Sequence, residues 1–298
     1  MIEPMERAIG VDIGGTRTRV AAVHNGQILA RRVFQTRGIE DVEIAIREAL
    51  VEVEWAEPAA IGVGAPAPMD LREGRMLACP NLPAWNGIKV REVLDRAFRC
   101  PIHLANDATC AAIGELTLGF RSRDFVYVTW STGIGGGIVT GGQVVWGATG
   151  GAAEIGHIVL EPKGPRCACG RNGCLEAIAG GASLARLGTE LLGVPVTARE
   201  VVERAQSGDP ASRCLVDNAC RAMGQAIAIL WSVLEPELIV LGGGLTGSWA
   251  YLGPQVRTAI QGMIREKPRL ELTQLGDDAG LLGAAALSAH MPAKWSSP

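Results

Sequence analysis

Four side chains that bind soft metal ions lie close together in the middle of the chain. Cys167, Cys169 and Cys174 fall within eight residues, and His157 precedes them. Thiolate and imidazole ligands suit tetrahedral Zn²⁺, and four protein ligands leave no open position for a catalytic water. Glycines beside the cysteines allow a tight loop around one ion. We therefore interpret these four residues as a closed, structural zinc site.

Two other interpretations of the cysteines stay open. They could form a disulfide with one spare thiol, or they could be separate buried thiols, because free cysteine behaves as a small core residue. Zinc is favoured because glycine-punctuated thiols between prolines make a poor core. The carboxylates that bracket the cluster, Glu154 and Glu176, are not needed as ligands. We expect them to hydrogen-bond a substrate, with the hydroxyl groups of a sugar as the natural candidates.

Two glycine-rich turns between strands are candidates for binding phosphate. The first contains Gly14, Gly15 and Thr16, and the second contains Thr132 and Gly133. Backbone N–H groups of glycine turns can approach phosphate oxygens closely. For the first turn alone, a plain hairpin is an equally good interpretation. Their separation of about 120 residues indicates a duplicated unit, one in each of two lobes that face a shared cleft.

The glycine turns do not match the common nucleotide fingerprints. A strand follows the glycines where a dinucleotide-binding motif has a helix, and no Gly-Lys-Ser/Thr completes a P-loop. Asp12, at the end of the preceding strand, could hold Mg²⁺ together with its water shell. Gly243 follows the strand-like run Leu238–Leu241 and could lie flat against a nucleoside, although a simple strand-end turn fits equally well.

Asp107 has two possible roles at the start of the helical run Ala108–Leu118. It could act as a general base if a substrate hydroxyl lies within hydrogen-bond reach. It could instead cap the helix, which is typical of aspartate at such positions. Asn81, in the rigid loop Cys79–Trp85, could contact a ligand or satisfy its own turn.

These candidates must be positioned by alternating strands and helices, which predict an α/β fold. A chain of 298 residues with 48% hydrophobic content favours two lobes, which we place at residues 1–118 and 119–298. The last helix is expected to pack back on the first lobe. The predicted strands are 7–13, 18–23, 27–34, 59–63, 102–104, 125–129, 138–140 and 238–241, and the predicted helices are 39–55, 88–98, 108–118, 183–192, 198–206, 210–234 and 279–290.

Composition excludes several classes of protein. The 28 basic and 31 acidic residues give a net charge of -3 without a basic stripe, which argues against nucleic acid as the main partner. No apolar run has the length of a membrane span, and the first residues lack the apolar core of a signal peptide. The other five cysteines are expected to be reduced thiols. We therefore expect a cytoplasmic enzyme.

The motifs together resemble the ROK family (repressor, open reading frame, kinase). The similarity rests on Asp12–Thr16, Pro80–Pro83, Asn106–Ala108, Ser131–Gly137, Glu154–His157, the Cys-x-Cys-Gly-x-x-Gly-Cys-x-Glu run and Leu241–Gly244. It implies the two-lobed, actin-like (ribonuclease H-like) ATPase fold, with a duplicated mixed-sheet domain. The pattern is most similar to the glucokinases of the family, which phosphorylate the 6-hydroxyl of glucose with ATP and Mg²⁺.

The resemblance also implies a role for each candidate residue. Asp107 would be the base on the 6-hydroxyl, and His157 would use one ring nitrogen for zinc and the other for the sugar. A homodimer or homotetramer is expected. The implied sugar ligands are Asn81, Asn106, Asp107, Glu154, His157 and Glu176. The implied nucleotide and Mg²⁺ ligands are Asp12, Gly14, Gly15, Thr16, Thr132, Gly133 and Gly243.

Other functions within the family remain alternatives. A kinase for N-acetylmannosamine, N-acetylglucosamine, mannose or fructose would carry the same motifs, and polyphosphate could replace ATP. A repressor would need a DNA-binding helix-turn-helix before the first phosphate loop, where only eleven residues precede Asp12. A non-catalytic binding protein would not need Asp107 and both phosphate loops. Ala67 and Ala153 replace glycines usual near the sugar in the family, so the sugar stays open; Arg17, Thr109 and Cys110 are further departures.

Overall fold

The computed structural model describes residues 7–66, 68–77, 79, 82–266 and 268–295. The chain divides into two compact units. The first contains Met1–Arg123, Gly137–Ala153 and Gln274–Pro298, and the second contains Asp124–Gly136 and Glu154–Thr273. Among the described residues, none of the helices has both the length and the apolar character that crossing a bilayer requires.

The elements of the amino-terminal half build the first sheet and the helices that pack on it. The sheet has the order β3-β2-β1-β4-β7. These elements are β1 (Ala8–Ile13), β2 (Arg17–His24), β3 (Gln27–Gln35), α1 (Ile39–Glu52), β4 (Ala60–Ala65), β5 (Met69–Asp70), β6 (Arg75–Met76), α2 (Val90–Phe98), β7 (Ile102–Asn106) and α3 (Asp107–Thr117).

Strand pairing brings three functional segments to one edge of the first sheet. Strand β1 is antiparallel to β2 but parallel to β4, and β4 is parallel to β7. Asp12 is paired with Gly64, and Ala65 with Asn106. The carboxyl ends of β1, β4 and β7 therefore meet at the same edge, where ligands bind in open α/β sheets.

The remaining elements contain a second sheet with the order β10-β9-β8-β11-β12, while the last two helices pack in the first unit. Strand β11 is parallel to both β8 and β12, and the sheet repeats the strand order of the first. The elements are β8 (Phe125–Trp130), β9 (Ile134–Thr140), β10 (Gln143–Val144), α4 (Leu175–Ala179), α5 (Gly181–Leu192), α6 (Ala198–Gln206), α7 (Pro210–Leu234), β11 (Leu238–Gly242), α8 (Trp249–Ile260), β12 (Leu270–Leu272), α9 (Ala279–Ala285) and α10 (Leu287–His290).

Helix α9 packs at backbone contact within the first unit. It lies against α3 and against strands β1 and β4. A Cβ atom on Gly62 would overlap the carbonyl oxygen of Ala284, and one on Gly283 would overlap that of Cys110. Both positions therefore require glycine, because any larger residue would separate the helix from its neighbours.

The observed elements differ from the predicted ones in a few places. Strand β9 starts at Ile134 instead of 138, because Gly137 lets the strand lie against α3, where a Cβ would be 2.9 Å from the Ala108 carbonyl oxygen. The last predicted helix is interrupted at Ala286, whose N–H is shared between two carbonyl groups. Helix α7 begins as expected after Asp209, whose carboxylate caps it. Helices α4 and α8 and strands β5, β6, β10 and β12 were not predicted.

Candidate active site and metal centre

The four predicted zinc ligands come together in the second unit. Their ligand atoms all lie within 4.8 Å of one another. The sulfur atoms of Cys169 and Cys174 are 3.6 Å apart, and Cys167 Sγ lies 3.6 Å from His157 Nδ1. A tetrahedral ion with Zn–S bonds of about 2.3 Å holds its sulfur ligands roughly 3.8 Å apart. Donor chemistry and spacing therefore both fit zinc.

Backbone hydrogen bonds close the cysteine loop on itself. The N–H of Cys167 donates to the carbonyl of Arg171 at 2.8 Å, and the N–H of Gly170 donates to that of Cys167 at 3.0 Å. Gly170 and Gly173 have φ values of 90° and 69°. At Gly173 a side chain would also overlap the carbonyl oxygen of Glu161. The glycines thus allow the chain to fold the three thiols inward.

The three thiols differ in their readiness to ionise. Arg171 donates from Nε to Cys169 Sγ at 3.4 Å, and this contact lowers the pKa of Cys169 to about 6. Burial raises the pKa of Cys174 to about 12 and also raises the pKa of Cys167. Because thiolates are the metal ligands, binding of an ion must release protons from the two buried thiols.

His157 presents its two ring nitrogens to different neighbours. Nδ1 faces the thiols, whereas Nε2 lies 3.9 Å from Oε2 of Glu154. Glu154 precedes a short 3-10 helix, Ile155–His157, and His157 is its last residue. The middle residue of this helix, Gly156, must be glycine, because a Cβ there would overlap the carbonyl oxygen of Ile134. The Glu154 side chain is 56% exposed and is open to a ligand.

Glu176 connects the cysteine loop, residues 167–174, to the second glycine turn. It lies in the first turn of α4, two residues after the predicted zinc ligand Cys174, and its Oε2 accepts the N–H of Ile134 at 2.8 Å. A Cβ at Gly133 would overlap the same carboxylate oxygen. The carboxylate therefore occupies the space that Gly133 leaves, at the point where β9 begins.

The second glycine turn is also held by a helix N-terminus. The carbonyls of Ser131 and Thr132 accept the N–H groups of Gly181 and Ala182, both at 2.8 Å, in the first turn of α5. Gly243 follows β11 at the same edge of the sheet, with φ at 91°; a Cβ there would be 2.7 Å from the carbonyl oxygen of the β8 residue Trp130. The second unit thus places Thr132, Gly133 and Gly243 along one sheet edge.

The first glycine turn is pinned from the end of β3. Thr36 Oγ1 donates to the carbonyl of Gly14 at 2.7 Å, and its N–H donates to the carbonyl of Thr16 at 3.0 Å. A Cβ at Gly14 would be 2.8 Å from the carbonyl oxygen of Arg17, whereas one at Gly15 would meet no atom within 4 Å. The turn is rigid but open at Gly15, as close approach of a phosphate requires.

Asp12 is paired with a residue that the motif did not reveal. Arg19, its cross-strand neighbour on β2, forms an ion pair with Oδ2 and also donates to the carbonyl of Asp277. The nearby Gly280, at the start of α9, would place a Cβ 3.6 Å from the Asp12 carboxylate. A carboxylate at a strand end fits the preference of Mg²⁺ for one or two protein oxygens, with phosphate and water completing its shell.

Asp107 is the first residue of α3, and Asn106 is the capping residue. The N–H of Ala108 is accepted by Asn106 Oδ1 at 2.9 Å and by Asp107 Oδ1 at 2.8 Å. Asn106 and Asp107 therefore share the capping of α3, with Asn106 at the capping position itself. The Asp107 carboxylate thus lies at the N-terminus of α3, where the helix dipole presents partial positive charge.

Three positions predicted to lie near the sugar are Asn81, Ala67 and Ala153. Asn81 lies outside the described residues, as does Ala67. Ala153 has a φ of 65°, in the left-handed region that favours glycine. This conformation explains why glycine suits the position before Glu154.

Comparisons with known proteins agree along nearly the whole chain. The model of the ROK family matches residues 8–291. The chain is 33% identical to the glucokinase of Thermotoga maritima, covering 95% of this chain and 98% of that protein. It is 34% identical to the N-acetylmannosamine kinase of Escherichia coli, covering 94% and 97%. Among solved structures it is similar to the ROK hexokinase from Thermus thermophilus (38% identity, TM-score 0.84, 94% and 97% covered) and to a ROK family glucokinase from Streptomyces griseus in complex with glucose and AMPPNP (31%, 0.80, 95% and 99%).

Proposed function

The chain belongs to the ROK family, and we propose that it is an ATP-dependent glucokinase that phosphorylates the 6-hydroxyl of glucose. The fold is the mixed α/β, actin-like ATPase fold that the motifs implied. The observation that carries the proposal is the near-full-length similarity to glucokinases. The sequence prediction of a hexose kinase that uses ATP is confirmed.

Asp107 is assigned as the general base in this proposal. Its carboxylate sits at the start of α3, at the sheet edge where β1, β4 and β7 end. There it would accept the proton of the 6-hydroxyl as the oxygen attacks the terminal phosphorus of ATP. Asn106 both caps the helix and is proposed to bind a neighbouring hydroxyl.

The nucleotide is assigned to the two glycine turns. Backbone N–H groups of the first turn, with the Thr16 hydroxyl, would bind phosphate oxygens, and Asp12 would hold Mg²⁺ through its carboxylate. Bound Mg²⁺ would neutralise the charge on the phosphates. Thr132 and Gly133 are proposed to bind phosphates from the second turn, and Gly243 to lie against the nucleoside, where its lack of a side chain permits close approach.

The zinc loop is assigned the recognition of the sugar. Zn²⁺ held by His157 and the three cysteines would fix the loop, leaving His157 Nε2 and the Glu154 carboxylate to bind hydroxyls. Glu176 is proposed to use the carboxylate oxygen that does not accept the Ile134 N–H. A site built this way rejects sugars that lack the hydroxyl, because its polar groups would remain unpaired. Asn81 is assigned to the same site from its motif alone.

A second candidate function is phosphorylation of N-acetylmannosamine. It is favoured by the 34% identity to a kinase of that name, which is as high as the identity to the glucokinases.

We also propose that the enzyme is located in the cytoplasm and that it forms a homodimer or homotetramer.

A panel of sugars tests the proposal directly. ADP release would be measured with glucose, mannose, fructose, N-acetylglucosamine and N-acetylmannosamine, each with ATP and with polyphosphate as the donor. The expected result is the highest kcat/KM for glucose and ATP. Preference for an N-acetylhexosamine would establish the second candidate, and turnover of none of these sugars would refute both.

A further inference from the structure

The carboxyl-terminal Lys294–Trp295 pair packs against the segment that leads into Glu154. Trp295 is only 2% exposed although it lies three residues from the end of the chain. Its ring meets that of Trp146 edge-on, with centroids 5.8 Å apart and planes at 70°. An aromatic pair of this geometry contributes beyond its area of contact. The tail is therefore anchored inside the first unit.

The segment contacted by the tail, which we call the 146–153 loop, has little regular structure of its own. Gly147 and Gly150 have φ values of 74° and 88°, and Ala153 shares the left-handed region. A Cβ at Gly150 would overlap the Leu71 side chain and lie 3.7 Å from Cη2 of Trp295. A loop with this conformation needs outside contacts to hold it, and the indole supplies one.

Polar contacts reinforce the packing from both sides. Lys294 Nζ lies 3.4 Å from the carbonyl oxygen of Gly147 and 3.5 Å from that of Ala148, and 4.1 Å from the centre of the Trp295 ring. On the other side, the Trp295 carbonyl accepts from Arg91 Nη2 at 3.2 Å.

Arg91 is itself rigidly held. Its guanidinium also donates to the carbonyls of Leu71, at 2.9 Å, and Arg72, at 2.7 Å, and Nε donates to that of Ile102 at 3.3 Å. The tail is thus tied through Arg91 to strand β7 and to the turn between β5 and β6. The contacts form a continuous path from the sheet of the first unit to the 146–153 loop.

From these contacts we propose that Trp295 is a positioning residue for sugar binding: the tail holds the 146–153 loop so that Glu154, the next residue, is correctly placed. This inference rests on the proposed role of Glu154 in the sugar site. Loss of the indole would leave the nucleotide ligands intact but let the loop shift. A misplacement of about 1 Å can lower the rate of a catalysed reaction on the order of 100-fold.

The first test measures the loop itself, without any substrate. Hydrogen exchange of the amides in residues 146–153 would be compared in wild type, Trp295→Ala, Trp295→Phe and a control, Phe98→Ala, which removes a buried ring elsewhere in the first unit. Faster exchange is expected in Trp295→Ala, near wild-type exchange in Trp295→Phe, and no local change in the control. Unchanged exchange in Trp295→Ala would overturn the proposal, whatever the enzyme phosphorylates.

The second test measures coupling to Glu154. The Kd of the preferred sugar would be determined calorimetrically in a cycle of Trp295→Ala and Glu154→Gln. We expect Trp295→Ala to raise Kd roughly tenfold in the wild-type background and less than about twofold with Glu154→Gln, since coupled residues are not additive. Equal effects in both backgrounds, or none, would overturn the proposal. If Trp295→Ala does not fold, Lys294→Ala, at an exposed position, replaces it with a smaller expected rise. Failure of wild type to bind any sugar would refute the proposed function instead.

Discussion

Glu176 and Ile134 are joined by a hydrogen bond of 2.8 Å from the backbone N–H of Ile134 to the carboxylate. The contact joins α4, the helix that follows the proposed zinc ligand Cys174, to β9, the strand that follows the second glycine turn. Within the second unit, one carboxylate thereby couples the cysteine loop, proposed to shape the sugar site, to the second glycine turn, proposed to bind phosphate. Its position depends on the absence of a side chain at Gly133.

Gly133→Ala should displace the Glu176 carboxylate, because the added Cβ would overlap Oε2. We expect kcat/KM for glucose to fall by roughly 100-fold, the cost of a shift of about 1 Å at a catalytic site, while the fold is retained. Steady-state kinetics and circular dichroism measure the two effects. Gly247→Ala is the matched control, since a Cβ there would meet no atom within 4 Å; an equal loss of activity in both variants would contradict the explanation.

Removal of one zinc ligand should release the metal and weaken sugar binding. Cys169→Ser is expected to lower zinc affinity by more than the roughly 10- to 100-fold typical of losing an outer partner of a ligand, and to raise the Kd for glucose. Metal analysis and calorimetry measure these changes. Cys214→Ser, which replaces an exposed cysteine outside the cluster, should retain metal and affinity. Wild-type protein purified without zinc would contradict the metal assignment.

Whether the sequence predicts an interaction depends on how far apart along the chain its two partners lie. The clustering of His157 with the three cysteines and the capping of α7 by Asp209 follow from local spacing, and both could be predicted. The pairing of Arg19 with Asp12 depends on strand register, which a single sequence does not reveal. Packing of Trp295 on Trp146 joins segments far apart in the chain and leaves no local pattern.

The errors in the predicted elements also have physical causes. Strand β9 contains Gly135–Gly137, and glycine is normally depleted in strands, so the run indicated a turn. At Gly137 the close approach of α3 accounts for the glycine, because a Cβ there would be 2.9 Å from the Ala108 carbonyl oxygen. Helix α8 carries Pro254 in its interior, which argues against a helix when read locally.

Two histidines should make the fold less stable in acid: His103, which is buried, and His290, which is half-buried. Burial lowers the pKa of His103 on β7 and of His290 on α10, and Arg91 adds to the effect at His103. Their unfolded pKa is about 6.5. Below that pH the unfolded chain takes up protons that the folded protein resists, so the free energy of unfolding falls as pH decreases.

Urea unfolding at pH 7 and pH 5 measures this dependence. The double variant His103→Gln, His290→Gln should lose less stability between the two pH values than wild type, even if its stability at pH 7 is lower. The single variants should fall between. An unchanged difference between pH 7 and pH 5 in the double variant would show that other groups account for the acid sensitivity.

Asp107→Asn separates catalysis from helix capping. The amide oxygen of the asparagine can still accept the N–H of Ala108, so the start of α3 should be retained. The ability to accept a proton is lost, and we expect kcat to fall by about 10²- to 10⁴-fold with the Kd for glucose nearly unchanged. Rapid-quench kinetics and calorimetry distinguish the two quantities. Asp209→Asn makes the same change at the capped start of α7 and should leave kcat at the wild-type level. A kcat within tenfold of wild type for Asp107→Asn would remove the residue as the base, because positioning alone would then account for the catalysis.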